Sequence, residues 1–184
     1  MTTTPNVSEW RAPQLIRDRK PYRPGFPEAV TKVERNVAVA LLLAKLHSEL
    51  YEIEMEPGSA EEVADFLTVL HSLHDLISSS WTRGDPETKP HILATPLPAF
   101  ITTANQVRDG MQRETRGYAP IHTLIERLGR DLLNRNAVAD IVDALACATE
   151  ANGIAVDQVI EKFRTKMASV GGFDGHLLWQ STEF

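Results

Sequence analysis

Apolar residues recur every three or four positions along most of the chain, and this spacing predicts six helices. They are expected over 36–56, 60–78, 98–116, 121–134, 137–151 and 156–169. The inward stripe of the first helix comprises Val39, Leu42, Leu43, Leu46, Leu50 and Ile53. That of the second comprises Val63, Phe66, Leu67, Leu70, Leu73 and Ile77. No stretch alternates convincingly as a strand, so the predicted fold class is all-α, a helical bundle.

Proline and glycine divide this pattern into segments. A Pro-rich N-terminal segment over 1–28 is expected to be extended, and 29–184 to form one all-α domain. A Pro-rich linker is expected over 81–98. Pro57-Gly58 turns the chain between the first two helices, and Ser59 with Glu62 forms a capping-box signature for the second.

Composition narrows the class of protein. The 184 residues carry 19 Lys and Arg against 25 Asp and Glu, a net charge of −6, which argues against stable nucleic-acid binding. The single cysteine, Cys147, excludes an internal disulfide and a zinc site built on paired thiolates. No secretory signal and no apolar run of about 20 residues is present, so we expect a cytoplasmic protein without a membrane partner.

Four carboxylates flank the turn between the first two helices. Glu49 and Glu52 lie three residues apart on one helix, and Glu62 and Asp65 lie three apart on the next. Because the turn makes the helices antiparallel neighbours, the four side chains are expected to converge into a site for Mg²⁺, or Mn²⁺ in its place. The alternative is a solvated acidic face, which is what most helical glutamate pairs form.

Four motifs resemble those of MazG-like, phosphoribosyl-ATP-pyrophosphohydrolase-like proteins. The stretch 15–21, LIRDRKP, is similar to their opening L-V/I-R-D-K/R-x-P, and 45–52, KLHSELYE, to their K-L-x-E-E-x-x-E helix with Ser48 in place of one acid. The stretch 61–65, EEVAD, resembles their E-E-L/V-A-D. The stretch 166–173 resembles their closing K-x-x-x-R-G-G-F, with Val170 in place of arginine.

The resemblance implies an all-α nucleoside triphosphate pyrophosphohydrolase that uses Mg²⁺ to cleave between the α- and β-phosphates, giving a monophosphate and pyrophosphate. The implied metal ligands are Glu49, Glu52, Glu62 and Asp65, with Glu49 and Glu52 as catalytic carboxylates. The implied phosphate-binding residues are Arg17, Arg19, Lys45 and Lys166. Two alternatives remain: a phosphoribosyl-ATP pyrophosphohydrolase, or a non-catalytic module that binds a nucleotide or a protein, which Ser48 and Val170 favour.

The second half of the chain resembles a degenerate copy of the first. Repeat 1 covers about 36–80, an extra helix covers 98–116, and repeat 2 covers about 121–175. In repeat 2, the positions of the four carboxylates are taken by Asp131, Asn134, Ala137 and Asp140. We therefore expect one catalytic site per chain, with Asp140 and Asp143 as candidate base or sugar contacts. The alternative to a repeat is that two amphipathic hairpins simply look alike. Amphipathic helices in both halves also predict a homodimer; the alternative is that the helices over 98–151 supply the partner within the same chain.

Overall fold

The computed structural model describes residues 14–18, 30–81, 96–110, 117–132 and 134–179. Most of these residues are helical, in agreement with the predicted all-α class. The elements in chain order are β1 (Gln14–Ile16), β2 (Val30–Lys32), α1 (Arg35–Met55), α2 (Ala60–Trp81), α3 (Pro96–Arg108), α4 (Ala119–Arg130), α5 (Arg135–Ala151), α6 (Val156–Val170) and β3 (Leu177–Trp179). Among the residues described, no helix is long and apolar enough to cross a membrane.

Two predicted helix ends are wrong. The third helix was expected to reach residue 116 but ends at Arg108, where Gly110 adopts a φ of 100° that favours glycine. The fourth was expected to reach residue 134 but ends at Arg130. Asn134 instead caps α5, because its side chain accepts a hydrogen bond from the Asn136 backbone N–H at 3.1 Å. Most of the predicted linker and N-terminal segment lies outside the described residues.

The helices pack into one core around the α1–α2 hairpin. Helix α6 lies on α2, α5 lies on α3, and α4 contacts both α5 and α1. The inward stripe predicted for α2 is fully buried, whereas on α1 Val39 and Leu43 only border the core. Phe66 and Phe100 are among the largest buried side chains, and Cys147 is buried as its apolar surroundings indicate. The core thus holds the carboxylate-bearing hairpin against the rest of the domain.

A small antiparallel sheet, which the sequence did not predict, joins the two ends of the described chain. Strand β3 lies between β1 and β2, with Leu178 opposite both Leu15 and Thr31. Each strand has three residues, too few to show an alternating pattern. The sheet brings Arg17, which follows β1, beside the loop over 171–176, which precedes β3.

Asp18 fastens this loop to the end of β1. Its carboxylate accepts hydrogen bonds from the backbone N–H groups of Asp174 at 3.0 Å and Gly175 at 2.7 Å. Its own N–H donates to the Gly172 carbonyl at 2.9 Å. A Cβ at Gly175 would lie 2.8 Å from the Asp18 Oδ1 atom, so this close approach requires glycine.

We expect Asp18→Ala to lower the free energy of unfolding by about 1.5–3 kcal/mol, the usual contribution of hydrogen bonds to a charged group. Urea denaturation measures the change. The control is Glu161→Ala at an exposed position of α6, which should stay within about 0.5 kcal/mol of the unsubstituted protein. Equal stabilities for the two variants would contradict the anchoring role of Asp18.

Candidate functional site

Three carboxylates converge where α1 and α2 meet at the hairpin turn. Glu49 and Glu52 lie near the end of α1, and Glu62 lies in the first turn of α2. One oxygen from each lies within 4.8 Å of the other two. Glu49 is buried, Glu62 is half-buried and Glu52 is exposed, so the cluster extends from the core to the surface.

The start of α2 leaves the Glu62 side chain available to this cluster. The Ser59 Oγ accepts a hydrogen bond from the Glu62 backbone N–H at 3.3 Å, as the capping signature predicts. The reciprocal bond of a capping box does not form, because the Ser59 N–H donates to the Glu56 carbonyl at 2.9 Å. One carboxylate oxygen of Glu62 instead lies within 4.8 Å of one of Glu52.

Crowding and burial raise the pKa of two of these groups. Burial raises the pKa of Glu49, although Lys45, whose Nζ lies 2.6 Å from its Oε1, opposes the shift. Burial, together with repulsion from Glu52 and Asp65, raises the pKa of Glu62 to about 7. The cluster therefore retains a proton near neutral pH that isolated carboxylates would lose.

Asp65 lies beside the cluster but is held by cations. Its two carboxylate oxygens form ion pairs with Arg17 and Lys166, one to each. It contributes to the raised pKa values of Glu49 and Glu62, yet it is not part of the group within 4.8 Å. A ligand role for Asp65 stays a prediction, and it requires these ion pairs to loosen.

Lys166 connects Asp65 to the rim of the site. Its Nζ also lies 3.0 Å from Glu61, whose carboxylate contacts Lys162 at 3.4 Å. Burial would lower the pKa of Lys166, but the hydrogen bonds and charges of Asp65 and Glu61 outweigh it and raise the pKa. The ammonium group therefore stays charged, and in this structure it is paired with Asp65 and Glu61.

A cavity of about 410 Å³ opens beside the ion pairs. Its wall includes Arg17, Lys45 and Lys166, with Val170 at the position where the similar motif has arginine. The Phe173 ring also lines it; the guanidinium carbon of Arg17 lies 5.3 Å from the ring centroid and the Lys45 Nζ lies 5.9 Å from it. Three cations and the carboxylates of Glu61 and Asp65 thus face one volume. The ion pair between Lys45 and Glu49 connects this volume to the carboxylate cluster.

The remaining predicted site residues lie away from the cavity or outside the residues that the structure describes. Arg19 is outside the described residues. Asp140 is 3.8 Å from Arg127, and Asp143 accepts a hydrogen bond from the Thr103 Oγ1 at 2.8 Å. Neither aspartate is among the described residues that line the cavity.

Sequence reasoning left Phe173, Ser72 and Glu61 without a role. The Ser72 Oγ accepts a hydrogen bond from the Phe173 backbone N–H at 3.2 Å, which fixes the aromatic ring beside Arg17. The available signal was the Gly171-Gly172-Phe173 triplet, where Gly171 has a φ of 77° and ends α6. That signal marks a turn but does not show which side chains the turn brings together.

The donor set of the cluster fits a hard divalent cation. Carboxylate oxygens are the ligands that Mg²⁺ takes from proteins, at about 2.0–2.1 Å, so ligands on opposite sides of the ion lie about 4.2 Å apart. The three carboxylate oxygens lie within 4.8 Å of one another, a range that includes this separation. The half-exposed position of the cluster leaves room for the waters that Mg²⁺ retains.

The raised pKa of Glu62, about 7, predicts how stability depends on pH without metal. Between the unfolded value, near 4.5, and about 7, the folded state binds more protons than the unfolded state. The free energy of unfolding should therefore fall as the pH rises through this window in the presence of EDTA. Glu62→Gln should flatten that part of the profile, and an unchanged slope would contradict the assignment.

No protein-family model, curated protein or solved structure matches the chain.

Proposed function

We propose that the protein is a Mg²⁺-dependent nucleotide pyrophosphohydrolase that cleaves between the α- and β-phosphates. The observation that carries the proposal is a cluster of three carboxylates that the Lys45–Glu49 ion pair connects to a cavity whose wall includes three cations. A divalent cation complements the first group, and the phosphates of a nucleotide complement the second. The four motifs around these residues support the same activity.

The residues divide into a metal side and a phosphate side. Glu49, Glu52 and Glu62 would hold Mg²⁺, which when bound neutralises the polyphosphate and lowers the pKa of a coordinated water. Glu49, which is buried and paired with Lys45, would orient or deprotonate the attacking water. Arg17, Lys45 and Lys166 would hold the phosphates, Arg17 through a planar fork that suits bidentate binding.

Asp65 links the two sides. A polyphosphate entering the cavity would replace its carboxylate as the partner of Arg17 and Lys166. The released carboxylate then becomes available to the neighbouring cluster as the fourth ligand. Substrate binding would in this way complete the metal site, which makes binding of nucleotide and metal mutually supportive.

A product assay tests the function. The protein is incubated with Mg²⁺ and a panel of nucleoside triphosphates and phosphoribosyl-ATP, and phosphate is measured with and without added pyrophosphatase. We expect phosphate only when pyrophosphatase is added. Turnover of phosphoribosyl-ATP alone would identify the narrower activity, and nucleotide binding without turnover would identify the non-catalytic module that Ser48 and Val170 favour.

We infer that repeat 2, over about 121–175, derives from a duplication of repeat 1, over about 36–80. The packing of α4 on α5 in repeat 2 corresponds to that of α1 on α2 in repeat 1. Ala137 is buried without a ligand group, and Asp131 is exposed at the end of α4. The second hairpin, formed by α4 and α5, would then be a scaffold, and each chain would have one active site.

We also predict a homodimer that uses the outer face of α1. Val37, Tyr51 and Met55 are large apolar side chains exposed by 42%, 60% and 65%, at spacings that place them on one side of the helix. Light scattering at micromolar concentration should give twice the chain mass, and Tyr51→Glu should shift it toward the monomer. A monomeric mass for the unsubstituted protein would refute this prediction.

A further inference from the structure

Two histidines meet at the contact between α1 and α4, away from the carboxylate cluster. The Nδ1 atoms of His47 and His122 are 3.4 Å apart. The rings are nearly parallel, at 12° to each other, with centroids 5.7 Å apart. His47 precedes Glu49 by two residues, so its side chain leaves α1 about 200° from that of Glu49, on another side of the helix.

The distance between the two nitrogens suits a shared metal better than a direct hydrogen bond. A hydrogen bond from an N–H group has its optimum near 2.9–3.0 Å, so 3.4 Å is long for one. Two nitrogens on a tetrahedral Zn²⁺ ion, each about 2.0–2.1 Å from it, lie about 3.3–3.4 Å apart. The helices hold the imidazoles at that separation.

A carboxylate fixes the orientation of one ring. The Nε2 of His122 lies 3.2 Å from the Oε2 of Glu54, two turns beyond His47 along the same side of α1. Donation of the Nε2 proton to Glu54 leaves the Nδ1 lone pair of His122 facing His47. Histidines that bind metals usually carry such a carboxylate on their second nitrogen, where it sets the tautomer and increases the basicity of the ligand.

We propose that His47 and His122 form a binding site for Zn²⁺ or a similar imidazole-preferring transition metal, with Glu54 as the positioning residue. The His122 side chain is 37% exposed, so the remaining coordination positions are open to water. The ion would join α1 to α4 and so tie the first hairpin to the second half of the domain. Mg²⁺ is not a competitor here, since it prefers oxygen ligands.

Zinc titration of the metal-free protein against a chromophoric chelator tests the site, with Co²⁺ absorption as a second readout. We expect saturable binding of one Zn²⁺, weakened at least tenfold by either His47→Asn or His122→Asn. Glu54→Gln should weaken it about 10–100-fold, the usual effect of losing such a carboxylate. Zn²⁺ affinity should stay within twofold in saturating Mg²⁺.

The matched control is His71→Asn on α2, whose ring contacts Asp75 and Phe163 instead. Its Zn²⁺ affinity should match that of the unsubstituted protein, and circular dichroism should show that every variant retains its helices. Should His47→Asn fold poorly, His122→Asn carries the test alone, because residue 122 lies at the surface of α4. Absence of saturable binding, or binding unaffected by His122→Asn, would overturn the proposal.

Discussion

Glu49→Gln is expected to abolish Mg²⁺-dependent turnover while leaving the helical fold intact. The substitution keeps the size of the side chain but removes the charge that would hold the cation and accept a proton from water. Because each ~1.4 kcal/mol of lost transition-state stabilisation costs about tenfold in rate, loss of a ligand should lower kcat by well over tenfold. Steady-state kinetics in saturating Mg²⁺ measures the effect.

Asp131→Asn is the matched control for Glu49→Gln. The proposed duplication would make Asp131 the counterpart of Glu49, and Asp131 lies exposed at the end of α4. Turnover should remain within about twofold of the unsubstituted protein, since a surface substitution outside the site rarely has a large effect. Loss of activity in Asp131→Asn but not in Glu49→Gln would show that the second hairpin carries the reaction.

Arg17→Ala is expected to weaken substrate binding strongly. Arg17 contacts the Asp65 carboxylate, donates to the Gly171 carbonyl at 3.3 Å and lies over the Phe173 ring at the cavity wall. A lost charge-assisted contact of about 1.5–3 kcal/mol corresponds to roughly 10–150-fold in kcat/KM. We expect most of this loss as a higher KM.

Two further variants show whether the effect belongs to phosphate binding. Arg17→Lys keeps the charge without the planar fork and should fall between Arg17→Ala and the unsubstituted protein. Arg164→Ala removes an exposed arginine from α6 and should leave KM within about twofold. An unchanged KM in Arg17→Ala would remove Arg17 from the phosphate site.

The features that local sequence controls were predictable. The period of apolar residues predicted α1 and α2 to within a few residues, since each inward stripe extends over about four turns. The Pro57-Gly58 turn then makes neighbours of Glu49, Glu52 and Glu62, because a short connection leaves two helices antiparallel. The convergence of these three carboxylates could therefore be predicted from their spacing alone.

The features that depend on distant segments were not predictable. Leu15 pairs with Leu178 across nearly the whole chain, and three-residue strands carry too little pattern to indicate such pairing. The ion pairs of Asp65 follow from that sheet, which positions Arg17, and from the packing of α6, which positions Lys166. Neither partner can be inferred from the spacing of the carboxylates.

The contact between His47 and His122 illustrates the same limit. The two residues lie in different hairpins and meet only because α4 packs against α1. Spacing along one helix predicts pairs three or four residues apart, such as Lys45 with Glu49, but contains no information on which helices become neighbours.

Anomalous diffraction from a crystal containing Mn²⁺ tests the central claim most directly. The crystal would also hold a nucleoside triphosphate analogue with a methylene bridge between the α- and β-phosphates, which prevents cleavage. We predict an anomalous peak within bonding distance of Glu49, Glu52 and Glu62, with the phosphates against Arg17 and Lys166. A peak beside Asp131 and none at the first hairpin would contradict the account.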